Sequence, residues 1–266
     1  MKPWTYALAG ALIILTSIGR PAQADIYRRG EIAFVIAGMS VEEVQDAVMS
    51  SMTYFGSKIS GDDPVMLHWP VGPCSMAQTA DDSRRDMVRS AVETIAQRLD
   101  RKIPACAKAE ATSIAYYFAE GKLSPDDLKA ATDFVEKPSE TFSSFVDGSL
   151  PCYWRFKIPD LKKNRIGSAI VLANAADLDG EAVRRCVFMG TLGTLGLIVP
   201  SGLQEEPGIF EESEEAWNRH VELNLLALFV LSIVVEESAH DSQEIYAGQF
   251  ATKLRHMIWT MHELGK

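Results

Sequence analysis

The residue types best suited to chemistry in this chain are four cysteines, Cys74, Cys106, Cys152 and Cys186, and five histidines, His68, His220, His240, His256 and His262. A zinc site announces itself as a C-x-x-C pair or as two histidines one helical turn apart. Neither occurs. His256 and His262 are six residues apart, and His262-Glu263 opens an H-E-x-x-H pattern whose fifth position is Lys266. No cysteine stands beside a histidine, and no G-x-S-x-G nucleophile elbow is present. The spacing therefore predicts no metal, no cofactor and no catalytic nucleophile. Glu205-Glu206, Glu211-Glu212 and Glu214-Glu215 cluster just ahead of a helix, where negative charge complements the helix dipole.

One further stretch, CVFMGTLGTLGLIVP (186–200), carries glycine at every third position, Gly190, Gly193 and Gly196. A phosphate loop would need G-x-G-x-x-G, or G-x-x-x-x-G followed by Lys, between a strand and a helix. Here the order is G-x-x-G-x-x-G, no lysine follows, and a helix precedes it. A membrane span needs ~20 apolar residues, and this run meets Pro200 too soon. A buried helix remains. Each interior glycine costs it roughly 0.5–1 kcal/mol relative to alanine, so the glycines predict close packing of another backbone on that face.

The elements that must position these residues begin after residue 24. MKPWTYALAGALIILTSIGRPAQA (1–24) combines Lys2, an apolar stretch and the small-x-small sequence Ala22-Gln23-Ala24, which reads as a secretory signal peptide cleaved before Asp25. Its removal takes Lys2 and Arg20 but no acidic residue, deepening the formal charge from −10 to −12. So acidic a chain is a poor partner for nucleic acid or anionic lipid. All four cysteines lie in the exported part, and an even count in an oxidising compartment predicts two disulfides. Of three possible connectivities, Cys74–Cys106 and Cys152–Cys186 are favoured because each closes a moderate loop.

Along residues 25–266 the pattern predicts one α+β domain, a small mixed sheet with a helix-rich C-terminal half. IAFVIAG (32–38) is strand-like, and Ser40-x-x-Glu43 is a capping box opening a helix to about Met52. SKISGDDP (57–64) is a loop, and VMLHWPVGPC (65–74) reads as an edge strand and turn. Helical spacing runs from Asp82 to Lys102, and ATSIAYYFAE (111–120) is a buried strand. A helix is expected after Ser124-Pro125, then a loop over 137–150. Strands follow at 152–158 and 165–175, then a helix from Asp179 that contains the glycine run. Two long helices, 214–235 and 242–264, finish the chain.

The segments LHWPVGPC, RIGSAIVLANA and CVFMGTLGTLGLIVPSGLQEEPGIFEE, in this order, resemble a bacterial envelope family catalogued as a domain of unknown function (number 2927), over roughly residues 65–260. That family carries C-[LI]-x-E-E-L-x-Q-x-L-G-L, a worn form of the zincin helix H-E-x-x-H-x-x-G. In an active zincin the histidines hold zinc and the glutamate activates water. The resemblance implies a zincin-like scaffold. Aligned on Cys186 and Leu195-Gly196-Leu197, it puts Met189 and Gly190 at the two glutamates, Gly193 at the glutamine and Gly196 at the zincin glycine. PGIF (207–210) matches a later S-I-F element with Gly208 in place of serine. Neither Met nor Gly can ligate zinc or transfer a proton in those roles.

The expected function is that of an exported protein, periplasmic or extracellular, binding a peptide or another envelope protein or serving a structural role, without catalysis. No stable membrane span is expected after cleavage, and the oligomeric state is left open. The alternative is a peptidase-like hydrolase using Glu205, Glu206 or His220.

Overall fold

Ser40 and Glu43 cap each other as their spacing requires: the Glu43 amide donates to Ser40 Oγ at 3.1 Å, and the Ser40 amide donates to Glu43 Oε2 at 2.6 Å. They open helix α1, Val41–Gly56. The computed structural model describes residues 39–56, 66–69, 72–107, 113–120, 129, 140–146, 151–158, 165–176, 180–196, 213–238 and 247–264. The expected signal sequence, the strand-like run 32–38, the loop 57–64, all but Lys129 of the helix expected after Ser124, and Glu205, Glu206 and PGIF (207–210) lie outside the described residues.

The remaining elements, in chain order, are β1 (Cys74–Gln78), α2 (Asp82–Leu99), β2 (Ser113–Ala119), α3 (Glu140–Val146), β3 (Cys152–Lys157), β4 (Ser168–Asn174), α4 (Gly180–Thr194), α5 (Glu214–Ser238) and α6 (Ala247–Leu264). The four strands form one sheet in the order β1-β2-β4-β3. β1, β2 and β4 are parallel, and β3 runs antiparallel to β4. The α+β class and the small mixed sheet are as the pattern predicts.

The period of two in the strands sorts their side chains onto two faces. Ile114, Tyr116 and Phe118 of β2, Ala169, Val171 and Ala173 of β4, and Cys152 and Trp154 of β3 face the larger core, which α1, α2, α4, α5 and α6 complete. Ala115, Tyr117, Ile170, Leu172 and Tyr153 face a smaller core covered by Phe142 and Phe145 of α3. Both faces of the sheet are therefore buried, which is why β2 and β4 read as continuous apolar runs rather than alternating ones.

Two expectations are corrected here. Residues 137–150 contain helix α3 where a loop is expected. Phe142 and Phe145, three apart, share a helical face and close on Tyr153, with ring centroids 5.4 Å and 6.3 Å away; that burial outweighs a Ser-rich composition. The edge strand expected within 65–74 begins only at Cys74. Upstream, His68 makes a single parallel bridge to Arg165, and the Ile166 amide donates to His68 O at 2.9 Å. Pairing with Ser113–Tyr117 of β2 makes the strand, and CSMAQ has no β-branched residue to announce it.

Helix α5 is by length and composition apolar enough to cross a membrane. In the fold it is a core helix: Leu225, Leu226, Ala227, Val230 and Leu231 are buried among α1, α2, α4 and α6. Its entry is capped by Ser213, whose Oγ accepts from the Ala216 amide at 3.3 Å.

Candidate functional site

Cys186, Met189, Gly190 and Gly193 recur at i, i+3, i+4 and i+7 and so occupy one face of α4. That face lies on the sheet. Cys186 is disulfide-bonded to Cys152 of β3. A Cβ on Gly190 would meet Val171 Cγ1 of β4 at 2.5 Å, and one on Gly193 would meet Trp154 Cδ1 of β3 at 2.6 Å. Val171 and Trp154 are themselves directly paired across β3 and β4. The two glycines thus seat the helix on one cross-strand pair; the packing is close, but it is made by side chains of the sheet where the spacing predicts another backbone. Met189 is 1% exposed and belongs to the core. Gly196 ends the helix at φ +119°, a conformation that favours glycine, with its Cβ direction 3.1 Å from Leu67 O.

The polar groups along α4 are likewise committed. Thr191 Oγ1 donates to Val187 O at 2.6 Å, so its one proton is spent. The Tyr116 hydroxyl, 2.9 Å away, is therefore the donor to Thr191 Oγ1. Burial pushes the Tyr116 phenol far above its ordinary range, and the bond to Thr191 offsets this only in part. Trp69 Nε1 donates to Thr194 O at 2.8 Å, tying segment 66–69 to the end of the helix.

At the carboxyl ends of the parallel strands, where open sheets commonly bind ligands, the charges are absorbed by capping. Asp81 Oδ1 accepts from the Ser83 amide at 2.8 Å and the Arg84 amide at 3.4 Å. Those bonds from Ser83, hydroxyl and amide, hold its carboxyl below the usual range. Arg84 pairs with Glu120 and lies 5.4 Å over the Phe118 ring.

A second charged seam joins the helices. Arg98 of α2 pairs with Glu222 of α5, and Arg185 of α4 sits 5.0 Å over Trp217. His220, half-buried on α5, is the one residue of the hydrolase alternative that is described. Glu214 and Glu215 are exposed in the first turn of α5, as the dipole reading expects.

Two concavities are lined by the described residues. The first, about 50 Å³, lies beside the end of α4 and is lined by His68, Trp69, Arg101, Leu195, Leu231 and Ser232 among others. Burial lowers the His68 pKa against the opposing pull of the Met66 carbonyl, and Arg165 lowers it further, so the imidazole is neutral at pH 7. Arg101 is engaged with Ser232 O at 3.3 Å and Glu236 at 3.5 Å. This space holds little more than water. The second, about 500 Å³, runs between α1 and α6 and is lined by Val41, Glu42, Thr252, Arg255, His256 and Trp259. Its size falls within the range of ligand sites, roughly 300–1,000 Å³. Sequence reading passes over it because its walls lie some two hundred residues apart.

The cysteines pair as favoured, Cys74–Cys106 and Cys152–Cys186, which suits an oxidising, exported environment. Among the described residues no three His, Cys, Asp or Glu side chains come together as a cation site. No family model, no curated protein and no solved structure matches the chain.

Proposed function

We propose that this chain is an exported cell-envelope protein, periplasmic or extracellular, with residues 1–24 cleaved and a single zincin-like domain over 25–266, that binds a peptide or another envelope protein, or supports one structurally, without catalysis. The observation that carries this reading is the packing of α4. The face bearing Met189, Gly190 and Gly193, where the resembled family keeps its glutamates and glutamine, rests on Val171 and Trp154 at distances that leave no space for a side chain, let alone a substrate. A helix in that position holds the sheet. The acidic charge of −10 argues against nucleic acid as the partner.

Elemental analysis of the purified protein, paired with capture of partners from periplasmic extract with the disulfides intact and reduced, tests the proposal. Sub-stoichiometric metal and a disulfide-dependent partner support it. One equivalent of zinc, or a peptidase activity abolished by substituting His220 or a single glutamate, overturns it.

A further inference from the structure

We infer that the groove between α1 and α6 is a two-fold self-association surface, filled by the same groove of a second copy of this chain. Trp259 projects from α6 with 56% of its surface exposed, the one large apolar side chain so placed among the described residues. It borders a groove of about 500 Å³, large enough to receive a second indole. Buried aromatic side chains of this kind carry much of the energy of protein interfaces.

The charges on the two walls decide what the occupant is. α1, Val41–Gly56, carries Glu42, Glu43 and Asp46 and no basic residue. α6 carries Lys253, Arg255, His256 and His262 and no acidic residue before Glu263, an anomaly in a chain of net charge −10. Glu42 lines one wall of the groove and Arg255 the other, and among the described residues neither has an ion-pair partner. An anionic lipid surface or a polyanion attracted to α6 would be repelled by α1 beside it. A second copy presents both signs in the same arrangement. A two-fold axis near Trp259 sets each α1 against the other's α6, which makes the contact self-complementary and closed.

Sedimentation velocity on the purified, disulfide-bonded protein tests this. A dimer is expected, and Trp259→Ala should weaken it by about tenfold or more, with the thermal melt unchanged at protein concentrations where the wild type is monomeric, because the side chain is exposed in the single chain. Arg255→Glu and Glu42→Arg should each weaken it, and the two together should restore it. A wild type that is monomeric at every accessible concentration overturns the inference, as does a dimer indifferent to Trp259→Ala or a double variant no better than the singles. None of these results bears on metal content or catalysis, so the inference and the function proposed above fail separately.

Discussion

Gly193 of α4 and Trp154 of β3 are packed so closely that no side chain fits between them. A Cβ on the glycine would lie 2.6 Å from Trp154 Cδ1 and nearer still to Nε1. One turn earlier Gly190 takes the same position over Val171, the cross-strand partner of Trp154. A further turn back Cys186 is bonded to Cys152. Helix and β-hairpin are thus joined at three successive turns, twice by close approach and once by covalent bond.

Gly193→Ala should destabilise the fold even though alanine favours a helix by ~1 kcal/mol. Overpacking against a rigid indole costs about 1–3 kcal/mol, and the propensity gain offsets only part of it. The shift in urea midpoint reads the net loss. Trp154→Leu combined with Gly193→Ala should cost less than the sum of the single changes, since the smaller side chain makes room for the new methyl. Strict additivity would contradict the contact.

Cys152→Ser should cost about 2–5 kcal/mol, because the bond closes a separation of 34 residues between a strand and a helix of the core. Chemical unfolding measures the loss, and thiol titration of the unfolded variant should find Cys186 free. Full stability with Cys186 unreactive under denaturant would contradict the pairing.

Tyr116→Phe removes a buried hydroxyl that donates to Thr191, and should cost roughly 0.5–1.5 kcal/mol. The same bond predicts an alkaline dependence. The folded phenol titrates far above its unfolded value of about 10. Its contribution is therefore complete below that pH and is lost as pH rises beyond it, because only the unfolded chain then releases the proton. Ultraviolet titration of the native protein should show Tyr116 ionising only with unfolding, and Tyr116→Phe should flatten the alkaline limb of the stability curve.

Asp81 gives the opposite sign. Its carboxyl is held below the usual range by Ser83, so the stability it contributes is present above the unfolded pKa and lost as pH falls through the folded one. Asp81→Asn should keep the cap of α2 and lose that acid dependence, whereas Asp81→Ala should lower the melting temperature at neutral pH as well. Melting curves across the acid range distinguish the two.

The elements whose signals are local were legible from the residues alone. The Ser40–Glu43 box, the amphipathic spacing of α2, the apolar runs of β2 and β4 and both cysteine pairings match the structure. β1 is expected too early in the chain and α3 is read as a loop, because each depends on a distant partner. CSMAQ becomes a strand by pairing with β2, and the Ser-rich stretch around Phe142 becomes helical by burying two rings on Tyr153.

For the glycine run, the residues alone establish that a buried helix carries an unfavourable residue at every third position and that something must offset it. What offsets it emerges from the fold, because Val171 and Trp154 lie in two separate strands and meet the glycines only when β3 and β4 pair in their observed register. The groove beside Trp259 is of the same kind. Its acidic wall is read near residue 42 and its basic wall near residue 255, and packing alone makes them one surface.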